Sequence, residues 1–349
     1  MGKAKRHPSR SVKHADGASA WRLSAPSETA APSTGVLDRH ELYQKAVQSP
    51  AGDISYMVKF FRQYVGLQVP LHLREDFSGT SLICATWCKS DVRRTALGVD
   101  VDQEALQWGW IHNGQAMLGQ AESQLCLLEA NVLQDLSTYP DVGRVIADGN
   151  SQQPTDQAQL DQHVSRPADI ICALNFSVFL LNSRADVVKY FQLARAAMNS
   201  EDGSIFLLDM LGGHAGESSV KLRRQNEITG LSYLWEQAKY DPVKRQLTCH
   251  ISLKHPQTSQ VMKHAFTYHW KLWTIPEILE MLQEAGFTEV HVWMRCMIDT
   301  AESPQNNGQD DIENDFEDYE AFANDPAMLS RLSKGWTAYL VAVVQANTM

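Results

Sequence analysis

Small and acidic residues follow three predicted strands at positions where a nucleoside can be held. Residues 75–81 (Glu-Asp-Phe-Ser-Gly-Thr-Ser) connect a strand to a helix, so a ligand can approach the backbone at Gly79 and meet free N–H groups at the helix start. Asp100 ends the next strand, 25 residues after Glu75, where an acid accepts hydrogen bonds from ribose hydroxyls. Asn131 follows a third strand and can reach the edge of an adenine ring. In this order, the three features predict a site for an adenosine-containing ligand.

The elements that must position these residues alternate between strands and helices. A helix is predicted from Asp38, which can cap it, and a second helix from the apolar residues of 54–61. Further helices are predicted at 81–87, from Asp102 onward and at 185–198, and they alternate with strands at 71–75, 95–100, 125–129, 169–174 and 204–209. This alternation predicts a parallel sheet covered on both faces by helices, with ligands at the carboxyl ends of the strands.

After residue 209 the pattern changes to period two. Residues 233–240, 246–254 and 263–273 alternate between apolar and polar side chains, and Asp-Pro and His-Pro pairs separate them. These segments predict an antiparallel set of strands inserted into the α/β frame. The frame resumes with a helix at 276–285, stopped by Gly286, and with strands at 287–295 and 336–344.

Two segments lie outside this frame. Residues 1–36 are rich in Ser, Ala and Pro with a basic start, and they predict a disordered basic tail. The tail can be a solvated extension, a nuclear or RNA-contacting arm, or an organelle transit peptide. Residues 298–334 are predicted to form an acidic loop or exposed helix, with an acidic partner-binding surface as the alternative.

The composition excludes several classes of protein. A formal net charge of −10 argues against an extended basic surface for duplex nucleic acid. No segment approaches the roughly 18–20 apolar residues of a membrane span, and no secretory signal is recognisable, so the expected location is the cytoplasm, with a nuclear or organellar location left open by the basic start. The six cysteines include no CxxC pair; they are predicted to be buried thiols, and no metal site is expected.

The stretch from about 71 to 211 resembles the class I S-adenosylmethionine (SAM)-dependent methyltransferases. The family's turn, Asp/Glu-x-Gly-x-Gly-x-Gly, maps onto residues 75–81, its ribose acid onto Asp100 and its adenine-edge position onto Asn131. Residues 273–277 and 284–287 resemble the helix and the Ala-Gly-Phe signature before the family's closing strands, and residues 336–341 its antiparallel final strand. This sequence departs from the pattern by having Phe77 and Ser81 at the first and third glycines, and Asn131 where the family has an acid.

The resemblance implies an α/β fold with a doubly wound, mostly parallel seven-stranded sheet, an antiparallel terminal strand and an inserted antiparallel β lid. It implies that residues 37–70 form helices covering the cofactor, that residues 71–349 form the SAM-binding domain, and that residues 210–273 form the lid. The implied cofactor is SAM, with S-adenosylhomocysteine (SAH) as product. The residues expected to bind it are Glu75, Gly79, Asp100, Asn131 and Asn175.

Methyl transfer from a sulfonium is an in-line displacement, so the protein mainly positions the reactants and excludes water. A general base is needed only if the acceptor arrives protonated. We expect His214, after the fifth strand, to take an acid/base or orienting role. Aromatic residues of the insert and the first helix can contact a cationic or planar acceptor, and the candidates are Tyr43, Trp235 and Trp270.

The leading functional hypothesis is therefore methylation of a small molecule. Residues 174–177 (Leu-Asn-Phe-Ser) differ from the Asn/Asp-Pro-Pro-aromatic motif of many methylases of base amines, which argues against a nucleobase acceptor. Methylation of a protein, or of RNA through the basic tail, stays open, as does a SAM-fold binding protein without catalysis, suggested by the missing glycines. A nicotinamide enzyme is excluded because its G-x-G-x-x-G turn needs glycines that residues 75–81 lack.

Overall fold

The computed structural model describes residues 38–119, 124–138, 143–147, 163–225, 230–255, 260–297 and 316–346. The predicted basic tail, residues 1–36, lies outside the described residues, as do residues 298–315 of the predicted acidic loop. Of the helices in the described ranges, none has the length and apolar character that crossing a membrane requires.

Two helices precede the sheet. Helix α1, Arg39–Val47, begins at Asp38, whose carboxylate accepts hydrogen bonds from the N–H groups of His40 and Glu41, as the sequence predicted. Helix α2, Pro50–Tyr64, has proline in its first turn, where the missing N–H leaves no helical hydrogen bond unmade.

The remaining helices are short to medium in length. They are α3 Leu82–Ser90, α4 Gln103–Gly109, α5 Ala116–Leu118, α6 Arg184–Ala196, α7 Ile275–Glu284, α8 Tyr319–Phe322 and α9 Pro326–Lys334. A π-helical segment, Trp110–Gln115, joins α4 to α5. Helix α7 begins with a capping box in which Thr274 and Glu277 exchange hydrogen bonds, so its predicted start is confirmed.

The strands form two sheets. They are β1 His72–Asp76, β2 Thr95–Asp100, β3 Leu125–Ala130, β4 Gly143–Ala147, β5 Ile170–Ala173, β6 Ser204–Gly212, β7 Val220–Gln225, β8 Ser232–Asp241, β9 Gln246–Lys254, β10 Val261–Lys271, β11 Glu289–Cys296, β12 Glu317–Asp318 and β13 Trp336–Val344. The main sheet has the order β12-β11-β13-β6-β5-β1-β2-β3-β4, and its central run from β6 to β3 is parallel.

The predicted α/β fold is confirmed, with one correction. Strand β13 inserts antiparallel between β6 and β11, as expected for the terminal strand. The described sheet, however, has nine strands instead of seven, because β4 and β12 pair with its two edges. An edge strand pairs on one side only, so it needs little apolar patterning, and the sequence carries a weak signal for it.

Apolar side chains cover both faces of the main sheet. On one face, Met57 and Phe60 of α2 and Trp87 of α3 pack against Leu73 of β1 without solvent exposure. On the other face lie residues from α6, α7 and the second sheet. All six cysteines are buried, as predicted from the sequence.

The second sheet lies within residues 210–273 and has the order β10-β9-β8-β7, entirely antiparallel. Trp235, Ile251 and Phe266 are opposite one another in its register and all are buried. The predicted alternation is therefore correct, and β7 adds a fourth strand to the three that the pattern indicated. The inner face of this sheet, which carries Trp235, Ile251 and Phe266, packs against α1 and the main core.

Candidate functional site

The turn between β1 and α3 adopts a conformation that glycine favours, although it contains only one glycine. Phe77, Gly79 and Ser81 have φ angles of 57°, 52° and 53°, whereas Ser78 and Thr80 are not left-handed. Each non-glycine residue in this region costs about 1–2 kcal/mol. Left-handed residues that alternate with right-handed ones direct successive N–H groups toward a common concavity that suits an anion. Phe77 and Ser81 therefore adopt left-handed conformations although neither is glycine.

Asp100 closes this turn from the end of β2. One carboxylate oxygen accepts from the Gly79 N–H at 2.7 Å and the other from the Asp102 N–H at 2.8 Å. Burial raises the pKa of Asp100 to about 6 despite these hydrogen bonds. A Cβ atom added to Gly79 would meet nothing within 4 Å, so the turn borders open space beside this carboxylate.

Glu75 lies beneath the turn. Its carboxylate accepts from the Cys84 N–H of α3 at 3.1 Å, and only 4% of the residue is exposed. Burial, together with the nearby charges of Asp53 and Asp100, raises the pKa of Glu75 to about 8. A buried acid of this kind becomes ionised when a cation arrives beside it.

Asn131 and Asn175 lie on either side of this centre. Asn131, at the end of β3, accepts from the Leu133 N–H at 2.9 Å, and Asn175, at the end of β5, is exposed and left-handed. Because β3, β2, β1 and β5 are consecutive in the sheet, the five predicted cofactor residues follow one another along a single edge. Their binding roles stay a prediction.

Helix α1 is attached directly to the turn, a contact that the sequence did not reveal. The side-chain oxygen of Gln44 accepts from the Thr80 hydroxyl at 2.7 Å and from the Asn113 amide at 2.6 Å. The same amide donates to the Thr80 carbonyl at 2.7 Å. A Cβ atom on Gly109 would collide with that carbonyl, so α4 also passes close to the turn.

Two further carboxylates extend the row beyond β5. Asp209 of β6 accepts from the N–H groups of Phe176 at 2.7 Å and Asn175 at 3.0 Å, and burial raises its pKa to about 8. Asp53 of α2 accepts from the Tyr339 hydroxyl at 2.9 Å, and Tyr339 is opposite Asp209 in the sheet register. In the sequence, Asp209 was recognisable only as an acidic residue at the end of an otherwise apolar predicted strand.

Tyrosines face these carboxylates from α1 and the second sheet. Tyr43 packs against Phe266 at a ring distance of 4.9 Å, and its hydroxyl interacts with that of Tyr268. Burial raises the pKa of Tyr43, Tyr268 and Tyr233, and Tyr43 lies close enough to Asp209 for the carboxylate charge to act on it. The result is a cluster of largely buried phenols, one of which, Tyr43, lies beside the buried acid Asp209.

Trp235 and Trp270, predicted to contact the acceptor, lie in the core. Trp270 is 3% exposed, and its ring packs with Phe176, Phe179 and Trp235 at 5.5–6.0 Å. Their period-two positions place them on the inner face of the second sheet, as expected, but surrounding rings fill the space around them. Substrate contact by these tryptophans stays a prediction, and Tyr43 is the partly exposed member of the predicted set.

His214 occupies a short 3₁₀ turn after β6 and is exposed. Its carbonyl accepts from the Ser218 hydroxyl at 2.7 Å. Within the described ranges, its imidazole forms no hydrogen bond or ion pair with Asp209 or Tyr43. The acid/base role of His214 stays a prediction without a contact to support it, whereas Asp209 lies near Tyr43, one of the predicted substrate residues.

Solved structures share this architecture. The SAM-bound structure of CalS10, an amino pentose methyltransferase from Micromonospora echinaspora involved in calicheamicin biosynthesis, matches 89% of this chain and 99% of its own at 9% identity, with a TM-score of 0.50. DesVI of Streptomyces venezuelae matches 74% of this chain and 94% of its own at 9% identity, with a TM-score of 0.51. No family model and no curated protein matches the sequence. At these identities the likeness concerns the fold: the chain has the α/β fold of class I SAM-dependent methyltransferases.

Proposed function

We propose that the chain is a SAM-dependent methyltransferase that releases SAH. The observation that carries the proposal is the turn at residues 77–81, which keeps three left-handed positions and open space beside Gly79. A tight turn followed by a helix start suits a carboxylate, and the acids around it suit a ligand with positive charge. SAM contains both a carboxylate and two cationic centres.

Four of the five predicted cofactor residues have a binding task in this proposal, and Asn175 stays a prediction without one. The N–H groups of the turn receive the carboxylate, Glu75 faces the ammonium group, Asp100 accepts from the ribose hydroxyls and Asn131 reaches the adenine edge. When bound, SAM supplies an electrophilic methyl group. Helix α1 keeps water from the site through the hydrogen bonds of Gln44 with Thr80 and Asn113.

We further propose that the acceptor is a small molecule held where the second sheet and α1 meet the carboxyl edge of the main sheet. Tyr43 and Asp209 lie close together there, and the CalS10 likeness is to an enzyme of an amino pentose. Asp209 takes the acid/base role here in preference to His214, because a pKa of about 8 lets it bind or release a proton near neutral pH. The lid boundaries, residues 210–273, and a cytoplasmic location stay predictions.

Calorimetric titration of the full chain with SAM and with SAH tests the cofactor. We expect saturable binding of both; the absence of binding at millimolar concentration contradicts the proposal. Incubation with SAM labelled on the methyl group and fractionated cell extract then tests catalysis. Label in a small-molecule fraction supports the proposed acceptor class, label in protein or RNA supports those alternatives, and SAM binding without any label supports a non-catalytic protein.

A further inference from the structure

A buried charged pair lies on β1, directly before the turn at residues 77–81. Arg74 and Asp76 are two residues apart on the strand, so their side chains share a face, and the residues are 6% and 1% exposed. The Arg74 Nε donates to one Asp76 carboxylate oxygen at 2.8 Å, and a terminal nitrogen donates to the other at 3.3 Å. Replacing a buried ion pair by apolar residues of similar volume often leaves stability unchanged or raises it. Core stability alone therefore does not account for this pair.

Tyr190 of α6 forms a network with the pair. Its hydroxyl donates to the Asp76 carboxylate at 2.9 Å. Burial raises the pKa of Tyr190 well above its usual value, so the hydroxyl keeps the proton that it donates. The Tyr190 ring is fully buried and meets the Phe206 ring of β6 edge-to-face at 5.8 Å. The hydrogen bond at one end of the ring and the packing at its side fix its position.

The Tyr190 ring also contacts the first left-handed residue of the turn. Phe77 has a φ angle of 57°, and its ring meets the Tyr190 ring at a centroid distance of 5.5 Å and an interplanar angle of 74°. A bulky side chain disfavours this backbone region, whereas glycine, which the methyltransferase pattern has at this position, enters it freely. An edge-to-face contact with a fixed ring is a means of holding Phe77 in the left-handed conformation.

We propose that Asp76 and Tyr190 are positioning residues for SAM. By holding the Phe77 ring, they keep the turn in the conformation that receives the SAM carboxylate before the ligand arrives. The role rests on the proposed function, because it concerns the same turn, and both residues act through Phe77. A turn that is held only part of the time binds more weakly, because the apparent dissociation constant rises as the fraction of protein in the binding conformation falls.

Substitutions of Phe77 in the full chain separate backbone preference from ring packing. Phe77→Ala loses the ring and keeps a side chain that disfavours positive φ, so we expect SAH binding in calorimetry to weaken about tenfold. Phe77→Gly loses the same ring, but glycine enters the left-handed region about as readily as the right-handed one. Its SAH affinity should therefore be within about twofold of the wild type. Equal affinities in the wild type and Phe77→Ala, or in the two variants, overturn the proposal.

Tyr190→Phe tests the network, because it keeps the ring and loses the hydrogen bond to Asp76. We expect SAH binding to weaken about fivefold in the otherwise wild-type chain. Combined with Phe77→Gly, the same substitution should have no further effect, since glycine does not need the support. Tyr64→Phe is the matched control: the Tyr64 hydroxyl donates to the Asp318 carboxylate at 3.4 Å, at an edge of the main sheet, and its loss should leave SAH affinity unchanged.

Thermal unfolding of the same samples distinguishes positioning from a purely structural role. A structural role lowers the midpoint of Tyr190→Phe without changing SAH affinity, or weakens affinity equally with Phe77 and with glycine at that position, and either result overturns the proposal. SAH binding by the wild type, with unchanged affinity in Tyr190→Phe, rejects only the positioning role. A wild-type chain that binds no SAH overturns the proposed function as well.

Discussion

The proposed cofactor half and the proposed acceptor half of the site are built differently. Around residues 77–81 the contacts are made by backbone N–H groups and by acids within a short stretch of chain, such as the Gly79–Asp100 hydrogen bond. The proposed acceptor half gathers the side chains of Tyr43, Tyr233 and Asp209 from distant segments of the chain. A site fixed by backbone can serve one invariant ligand, whereas a site made of side chains on separate elements can change its ligand by substitution.

The largest expected effect distinguishes packing from binding in the acceptor half. Trp270→Ala removes a ring that is 3% exposed, and we expect the free energy of unfolding to fall by about 3–5 kcal/mol. Urea denaturation measures the change, with Val243→Ala, 90% exposed, as a control that stays within about 0.5 kcal/mol. SAH affinity of the folded variant stays the same. A Trp270→Ala protein as stable as the wild type would show that the Trp270 ring does not stabilise the core.

The next effect concerns the acid that closes the turn. Asp100→Ala leaves the Gly79 N–H without its acceptor and removes the proposed ribose contact, so we expect SAH binding to weaken by about 1–3 kcal/mol in calorimetry. Asp102→Ala is the control, because Asp102 caps α4 through the Ala105 N–H. It lowers stability by about 1 kcal/mol with little effect on affinity. Equal SAH affinity in wild type and Asp100→Ala would show that the ribose lies elsewhere.

The acid row predicts a dependence on pH. The pKa of Glu75 is about 8 in the folded protein, above its ordinary value, so its contribution to stability is complete at low pH and is lost as pH rises toward 8. We expect the free energy of unfolding to fall by up to about 1.4 kcal/mol per pH unit for this group between about pH 5 and 8. Glu75→Gln removes this part of the slope in urea denaturation. Parallel slopes in both proteins would contradict the raised pKa.

A smaller effect tests whether the ligand occupies the open space beside Gly79. Gly79 and Gly119 have φ angles of 52° and 53°, and an added Cβ meets nothing within 4 Å at either position. Alanine therefore introduces backbone strain in both variants, about 1 kcal/mol of lost stability or more, and more at Gly119, whose ψ angle is −117°. Only Gly79→Ala is expected to weaken SAH binding, by about tenfold. Equal affinities in the two variants would place the ligand away from the turn.

The smallest effect tests the backbone strain at Ser81, where the methyltransferase pattern has glycine. Ser81→Ala keeps the left-handed residue and loses the 3.0 Å hydrogen bond to the Ser78 hydroxyl, whereas Ser81→Gly loses the same hydrogen bond but removes the strain. The glycine variant should therefore be more stable than the alanine variant by about 1 kcal/mol in urea denaturation. The reverse order would mean that Ser81 is not strained.

The sequence alone determined the order of strands and helices and the edge of the sheet on which the predicted cofactor residues lie. Strands β2, β9 and β13 begin and end where the periodicity predicts, because hydrophobic alternation and capping residues act over a few neighbouring positions. The order of Glu75, Gly79, Asp100 and Asn131 was readable for a related reason: residues that end successive parallel strands share an edge once the topology is known.

Only the tertiary structure decided which side chains lie near the proposed acceptor position. Trp270 and Tyr233 both follow the period-two pattern, yet Trp270 is enclosed by Phe176 and Phe179 while Tyr233 borders the charged groups. Periodicity fixes the face of a strand and says nothing about what packs against it. The hydrogen bonds that join Gln44, Thr80 and Asn113, and the one between Asp53 and Tyr339, depend on how whole elements dock. That docking is set by contacts between residues far apart in the chain.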